Sequence, residues 1–528
     1  MTTVAILDPI ARSGLERLAS AGFEVCDLTD ADARARRKVL KRTSAIVVRS
    51  GTNVDARLME EAPQLAVIGR AGVGVDNIDI TTATERGIVV VNSPRGNTAA
   101  AAEHTLALLF SLARHIAEAD AMVKAGSWNR ASLTGREVRD KVLGVVGLGK
   151  VGFEVARLAA ALGMRVCTFD PIVTTQRAAE AGARLVPMEE LLRDSDVISL
   201  HVPLSETTQN LLGKRQFSLM KRGVQIINVA RGDLIDEAAL VAGLKSGAIA
   251  AAALDVFSTE PLPANSVLRD APRILLTPHI GASTEEAQIG VSIDVADEII
   301  GILGGRPPRF GVNAPSPGGE ELSRILQYTR LARTLGRWAA QMCGSTPQRI
   351  SCVYSGELAH RDTSLLTSEV VAGALASSTG GRINIVNARM IAARKGIAIE
   401  EQANTAPSAH LVPMTVKISG TDSVEIGGNE LDGEPHITLL DGYRIDVVPE
   451  GHFLIGNHHD RPGIIASVAG ALAEYDLNIA GIYLGRDRPR GRALMVIHVD
   501  DPPAPEMVAT ILGKTRLQTL KVVHESTA

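Results

Sequence analysis

Three side chains of complementary chemistry stand near the middle of the chain, each within a few residues of the end of an apolar run. Arg231 follows VQIINVA, Glu260 comes shortly after AAALDVF, and His279 follows ILLTP. A guanidinium can hold a carboxylate by a two-point contact and polarise a neighbouring carbonyl. An imidazole can take a hydroxyl proton while hydride leaves the same carbon for a nicotinamide. A carboxylate beside the imidazole fixes its tautomer and favours the imidazolium that the reverse reduction needs. Together the three could interconvert a 2-hydroxy acid and a 2-oxo acid. Singly, each has a plainer reading: Arg231 as a charge at a helix entry, Glu260 as a solvated turn before Pro261, His279 as a loop residue after Pro278.

A nicotinamide needs a dinucleotide site. Gly147-Leu148-Gly149-Lys150-Val151-Gly152 follows the apolar run KVLGVVG and opens the helical pattern VGFEVARLAAALG. Gly147 permits a tight turn, Gly149 lets a pyrophosphate approach the backbone, and Gly152 allows close helix–strand packing. The helix start supplies amide donors to the phosphates. Asp170 closes the next run, RVCTFD, where a carboxylate accepts hydrogen bonds from ribose hydroxyls and repels a 2′-phosphate. Pro171 follows it and no arginine stands beside it, so the pattern favours NAD over NADP. The alternative reading makes the glycines a structural turn and Asp170 a cap.

These residues need strands to carry them. Across 1–97, short β-branched runs (VAILD, FEVCDL, SAIVVRS, LAVIGR, IVVVNS) alternate with helical periodicity. A long helix is expected over 98–125, and a second alternating series runs to ILLTP. Strands separated by helices imply right-handed crossovers and parallel sheets, hence two doubly wound α/β units. Helix 284–305 is expected to return the chain to the first unit, with Ser283 as N-cap and Glu286 at N3 of a capping box. A Pro/Gly-rich linker follows at 307–320. Residues 321–450 read as mixed α+β, and 452–528 as a ferredoxin-like βαββαβ series.

Composition narrows the function classes. The 528 residues are 45% hydrophobic and 22% charged, which excludes wholesale disorder. Lys plus Arg number 55 against 59 for Asp plus Glu, a formal charge of −4 without a long basic run, which argues against a nucleic-acid or polybasic membrane partner. Four cysteines without a CxxC pair give neither a disulfide framework nor a thiolate zinc cluster, and no metal is expected. No apolar run is long enough to span a bilayer and the start lacks a signal-peptide pattern, so the expected location is cytoplasmic.

The strings GLGKVG, NVARG, LDVFSTEP and PHIGAST resemble, in order, the signature blocks of the D-isomer-specific 2-hydroxyacid dehydrogenase family over about residues 1–310. The resemblance implies two flavodoxin-like domains, with the cofactor domain inserted into the chain of the substrate domain. It implies Arg231 as binder of the substrate carboxylate, Glu260 as partner of the histidine and His279 as proton donor and acceptor. Val202, Val229 and Asp255 would contact the cofactor, as would Gly281 and Ala282 of the last block. In GRAGVGVDN, Gly72 and Gly74 allow a turn whose amides, around Val73 and Gly74, could cradle a carboxylate. That block, with RSGT and the W-x-R of Trp128–Arg130, is similar to the D-3-phosphoglycerate dehydrogenases, where the arginines matching Arg49, Arg70 and Arg130 face the substrate phosphate. In that family's dimers, the arginine at the position of Arg130 can come from the neighbouring subunit.

The C-terminal half carries the resemblance further. YSGELA, INIVNARMIAARKGI and LDGYRIDVVPEGHFLIG resemble the intervening domain of the long-form enzymes, and NHHDRPGIIASVAGALAEYDLNIAGIYLGR resembles the ACT amino-acid-sensing fold. In related dehydrogenases serine binds between two such modules, and the matching positions are His458, Asp460 and Asn478. Asp460 would meet the ammonium and Asn478 the carboxylate; the alternative is an assembly module that binds nothing. Two departures stand out: Lys150 replaces a frequent arginine, and His459 with Asp460 makes the ligand loop more acidic and imidazole-rich.

The expected division is a substrate-binding domain of 1–97 and 284–310, an NAD-binding domain of 98–283, an intervening domain of 318–450 and an ACT domain of 452–528. The expected activity is NAD-dependent oxidation of D-3-phosphoglycerate to 3-phosphohydroxypyruvate, the first step of L-serine biosynthesis. The partners expected are a small-molecule substrate, L-serine as effector and further copies of the chain in a dimer or tetramer. The rival readings are a reductase for 2-oxoglutarate, hydroxypyruvate or glyoxylate, and a dinucleotide-sensing corepressor without turnover.

Overall fold

A computed structural model describes residues 2–376, 382–406 and 412–525 of the chain. Parts of the expected intervening domain (377–381, 407–411) and the end of the expected ACT domain (526–528) lie outside the described residues.

The first sheet has five parallel strands, Thr3–Ile6, Glu24–Asp27, Thr43–Val48, Val67–Arg70 and Val89–Asn92, in the spatial order second, first, third, fourth, fifth. Its inner strands are apolar on both faces because both are covered, while the edge strand Glu24–Asp27 is only partly buried. Val4 and Ile6 share a core with Val291, Val295 and Ile299 of helix Glu285–Leu303, while Ala5 and Leu7 face Leu40, Leu58 and Ile78 on the other side. The return of helix 285–303 onto this sheet is thus fixed by a continuous apolar stripe.

The second sheet has seven parallel strands. Val142–Val146 lies between Arg165–Phe169 and Val197–Leu200, and beyond the latter come Val224–Asn228, Ile249–Leu254 and Ile274–Leu276. The seventh strand, Ala183–Leu185, sits at the far edge and is absent from the sequence reading; three residues carry no readable period. The chain direction across the sheet reverses at Val142–Val146, where open α/β sheets open a crevice at their carboxyl ends.

Two local expectations need correction. The helix over 98–125 is two helices, Thr98–Arg114 and Ile116–Lys124, broken at His115 in the left-handed region (φ 56°). The first packs Ala102, Leu108, Leu109 and Leu112 into the core, whereas the second buries none of its residues. The change from a buried to an exposed helix coincides with the break. Helix Glu285–Leu303 is capped by Thr284, whose Oγ1 accepts the Ala287 amide at 3.1 Å, and not by Ser283. Glu286 consequently falls at N2 and makes no capping box.

Beyond the linker, a six-stranded mixed sheet (Ala398–Asn404, Arg349–Ser355, Met414–Ser419, Ser423–Leu431, Glu434–Leu440, Tyr443–Val447) is covered by helices Tyr328–Cys343 and Ser364–Leu375. The last module is βαββαβ: strands Gly451–His459, Ile479–Arg486, Arg492–Val499 and Thr519–Glu525 form an antiparallel sheet in the order second, third, first, fourth. One face takes its own helices, Ile464–Ala473 and Pro505–Lys514. The other joins the preceding unit, where Trp338 meets Phe453 with ring centroids 4.8 Å apart. Both α/β units and the α+β units that follow match the fold class expected from the sequence.

Candidate active site

Between the two parallel sheets lies a cavity of about 540 Å³. The first unit lines it with Arg49, Arg70, Val73, Gly74 and Asp76, and the second with Val229, Arg231, Asp255, Glu260, His279, Gly281 and Ala282. Nearly all of these sit just past the carboxyl end of a strand.

His279 and Glu260 meet directly: Nδ1 lies 2.6 Å from Oε2. The other carboxylate oxygen of Glu260 accepts the Phe257 amide at 3.0 Å, so the carboxylate is held at both ends. Burial pushes the Glu260 pKa up, but the bonds from His279 and the Phe257 amide prevail, and it lies below the ordinary value. With Nδ1 engaged, Nε2 is the imidazole nitrogen left for chemistry. His279 itself has φ 54°, an uncommon conformation for a residue with a Cβ.

Asp255 holds that backbone in place. Fully buried, it accepts Thr277 Oγ1 at 2.5 Å, the Ile280 amide at 2.9 Å and the Gly281 amide at 2.8 Å. His104 Nε2 lies 3.3 Å from the same carboxylate. Burial raises its pKa, yet these four donors outweigh burial and keep it below the ordinary range. The resemblance gave Asp255 a contact with the cofactor; its geometry adds a structural task, anchoring the loop that bears His279. His104 is missing from the sequence reading, since a histidine within an apolar helix gives no signal of its own.

Arg231 donates through Nε to Asp76 at 2.7 Å and through Nη1 to the Ala230 carbonyl at 2.6 Å. Arg70 enters from the other wall. Burial, then repulsion from Arg231 and Arg49, pulls its pKa down to about 10, which leaves it charged at neutral pH. Its Nε is buried without a hydrogen-bond partner among the described residues. Arg49 lines the same cavity, so three guanidiniums converge there. Arg130 does not: it is exposed on the turn Arg130–Leu133, next to the exposed Trp128, and does not line this cavity.

The glycine-rich turn lies at the carboxyl end of Val142–Val146. Gly147 has φ 90°, and a Cβ there would lie 2.6 Å from the His201 carbonyl and from Val202 Cγ1, which places Val202 against the turn. A Cβ on Gly152 would lie 2.1 Å from the Gly147 carbonyl, so this glycine packs the helix onto the turn. Gly149 differs: a Cβ there would meet nothing within 4 Å. It is the N-cap of helix Lys150–Ala161, so its open side suits an anion drawn to the helix start. Lys150 and Val151 begin that helix. Asp170 accepts the Leu148 amide at 2.8 Å, tying the turn to the next strand, and also the Ile172 and Val173 amides at 2.9 and 3.2 Å. Val229 Cγ1 lies 2.7 Å from where a Cβ on Gly281 would be, and the Ala282 carbonyl accepts Gln288 Nε2 at 2.8 Å. These residues fit a dinucleotide: a bare helix start for its phosphates, a carboxylate beside the turn, and small residues around the His279–Glu260 pair.

Residues 106–281 match the model of the D-isomer specific 2-hydroxyacid dehydrogenase NAD binding domain, 324–437 that of the D-3-phosphoglycerate dehydrogenase intervening domain, and 453–512 that of the ACT domain. D-3-phosphoglycerate dehydrogenase of Archaeoglobus fulgidus is 40% identical over 96% of this chain and 96% of its own length. The enzyme of the same name from Bacillus subtilis is 37% identical over 99% of both chains. The chain belongs to the D-3-phosphoglycerate dehydrogenase family.

Among solved structures, the TT0316 protein from Thermus thermophilus covers 59% of this family member with a TM-score of 0.54 and 34% identity, all of that chain being matched. NAD-dependent formate dehydrogenase from Staphylococcus aureus in complex with NAD covers 58%, with a TM-score of 0.52 and 30% identity over 97% of its chain. An NAD-dependent dehydrogenase is thus among the solved structures that this D-3-phosphoglycerate dehydrogenase family member resembles.

In its last module, the positions expected to meet an effector do not form one pocket. His458 and Asp460 lie at one end of the sheet, and His458 Nε2 is buried without a hydrogen-bond partner among the described residues. Asp460 accepts Arg486 Nη1 and the Arg490 amide, both at 3.0 Å. Asn478 is at the opposite end, donating to Asp500 at 2.6 Å. The register aligns His452 and Ile479 with Val499, and His458 and Arg486 with Ala493, so roughly 20 Å of strand separates the two groups.

Proposed function

We propose that this protein oxidises D-3-phosphoglycerate to 3-phosphohydroxypyruvate with NAD, the first step of L-serine biosynthesis. The observation that carries the reading is one cleft holding the His279–Glu260 pair together with the guanidiniums of Arg49, Arg70 and Arg231. One carboxylate and one phosphate supply the anionic groups that such a cleft needs. Relatives named D-3-phosphoglycerate dehydrogenase in Archaeoglobus fulgidus and Bacillus subtilis, matched over 96% and 99% of their own lengths, support it.

In the proposed reaction Arg231 holds the carboxylate and draws electron density from C2, while Arg70 and Arg49 hold the phosphate. His279 Nε2 takes the hydroxyl proton as the carbonyl forms. When bound at the glycine-rich turn, NAD supplies the acceptor for the hydride from C2. Glu260 stabilises the resulting imidazolium, and in the reverse direction the same nitrogen returns the proton to oxygen.

The domain division given above is part of this reading, with the cleft between 1–97/284–310 and 98–283. So are a cytoplasmic location and assembly into dimers or tetramers; no helix among the described residues is long and apolar enough to cross a membrane. Serine as effector would need two ACT modules, one giving His458 and Asp460 and the other Asn478. The separation of these residues within one copy supports that arrangement.

Initial rates of NADH formation from D-3-phosphoglycerate at alkaline pH, with and without millimolar L-serine, test the proposal. Turnover suppressed by serine supports both parts. Turnover indifferent to serine keeps the chemistry and discards the effector. Silence in both directions discards the activity.

A further inference from the structure

Three arginines from three different elements reach the cleft, and all are set against one turn of the first unit. A Cβ on Gly72 would lie 1.6 Å from Arg70 Nη1, and one on Gly74 would lie 1.7 Å from Arg231 Nη2. Two guanidiniums therefore rest on bare backbone. The next residues of the same turn then bond outward in opposite directions. Asp76 Oδ2 accepts Arg231 Nε at 2.7 Å. Asn77 Nδ2 donates to the Arg49 carbonyl at 2.7 Å and to the Thr52 carbonyl at 2.5 Å. The Arg49 loop is closed on its other side by Asp8, which accepts the Arg49 amide at 2.7 Å and Thr52 Oγ1 at 2.7 Å.

We infer that Asp76 and Asn77 form a positioning pair that fixes the distance between the carboxylate-binding and phosphate-binding ends of the cleft. The inference rests on the substrate reading above and extends it to how that substrate is measured. Asp76 occupies the Nε edge of Arg231 and Ala230 takes one Nη1 hydrogen, so Nη2 and the second Nη1 hydrogen remain for a substrate carboxylate. Asn77, one residue along, sets where the Arg49 backbone lies. Two adjacent Cα atoms are about 3.8 Å apart by covalent geometry. The two anion sites are thereby registered to each other through a single peptide unit. The cleft should select a short acid with an anion at each end, and each residue of the pair should govern one end.

The test compares kcat/KM for reduction of 3-phosphohydroxypyruvate and of hydroxypyruvate. Asp76→Asn removes the carboxylate's charge from Arg231 and should lower both values by about tenfold, leaving their ratio unchanged. Asn77→Ala should lower only the value for the phosphorylated acid, so the ratio falls about tenfold. Asp8→Asn loosens the same Arg49 loop without touching Asn77 and should lower the ratio in the same direction, which guards against an Asn77 variant that fails to fold. NADH affinity, measured by fluorescence titration, should be unchanged in all three. A wild-type preference for the phosphorylated acid that survives both Asn77→Ala and Asp8→Asn overturns the inference alone. A wild-type enzyme with no such preference overturns the substrate reading and the inference with it.

Discussion

His279 Nδ1 and Glu260 Oε2 are 2.6 Å apart, and the opposite oxygen of that carboxylate is pinned by the Phe257 amide. The pair is therefore held from both sides, the glutamate by the Phe257 amide and the His279 loop by Asp255. Because the Glu260 pKa is lowered, its charge is present above the ordinary glutamate value and is lost only as pH falls through the lower folded value. Glu260→Gln places an amide against Nδ1 and removes the charge that stabilises an imidazolium. It should reduce kcat by about a hundredfold or more while leaving NADH binding intact, and His279→Ala should reduce turnover further. Stopped-flow rates with fluorescence titration of NADH check both; wild-type kcat in either variant contradicts the assignment.

Arg70 enters the cleft with a buried Nε that no described group satisfies, and burial lowers its pKa. Arg70→Lys keeps a charge but loses the forked donor geometry. We expect KM for 3-phosphohydroxypyruvate to rise by about tenfold or more, with a much smaller change for hydroxypyruvate. Equal losses on the two acids would remove Arg70 from the phosphate end.

Most strand ends are legible in the sequence because the inner strands of both sheets are buried on two faces and are short, largely apolar runs, such as Thr43–Val48 and Val224–Asn228. Arg231, Glu260 and His279 can be placed at those ends, since each follows such a run. What local pattern cannot convey is which side chains hold the site from behind. Asp76, Asn77, Asp8 and His104 act across 25 to 173 positions of separation, through bonds such as Asn77 to Thr52 and His104 to Thr277. No local period encodes such contacts. The break at His115 and the cap at Thr284 escape the sequence for a different reason: both depend on where the apolar stripe stops touching its neighbour, a tertiary fact that local propensity does not hold.

His201 carries a pH signature. It follows Val197–Leu200, beside the glycine-rich turn, with Nε2 2.8 Å from Ser199 Oγ. Burial lowers its pKa to about 4 from an ordinary value of 6.5. Between those values the unfolded chain binds a proton that the folded chain does not, so stability is lost as pH falls through this window and is unaffected above it. Allowing for its partial exposure, the loss should be on the order of 2 kcal/mol. His201→Asn should flatten the decline between about pH 7 and pH 4.5. Calorimetry, following the transition that NADH shifts, reads the difference; parallel curves for variant and wild type would exclude His201 as the source.

Gly149 and Gly152 separate binding from folding within one turn. A Cβ on Gly152 would sit 2.1 Å from a backbone carbonyl, which cannot yield without moving the helix off the strand. A Cβ on Gly149 meets no protein atom within 4 Å. If the dinucleotide pyrophosphate lies against Gly149, a methyl group there collides with the ligand alone. Gly149→Ala should leave the thermal transition near that of the wild type and weaken NADH binding by about tenfold or more. Gly152→Ala should lower the transition itself, by an overpacking cost of roughly 1–3 kcal/mol. Melting curves with and without NADH distinguish the two. In Gly149→Ala the NADH-induced rise in Tm should shrink while the unliganded Tm holds, because a ligand stabilises only in proportion to its binding. An unliganded Tm lowered in Gly149→Ala as far as in Gly152→Ala would mean that both glycines serve packing, and the phosphate site would have to be sought elsewhere along the helix start.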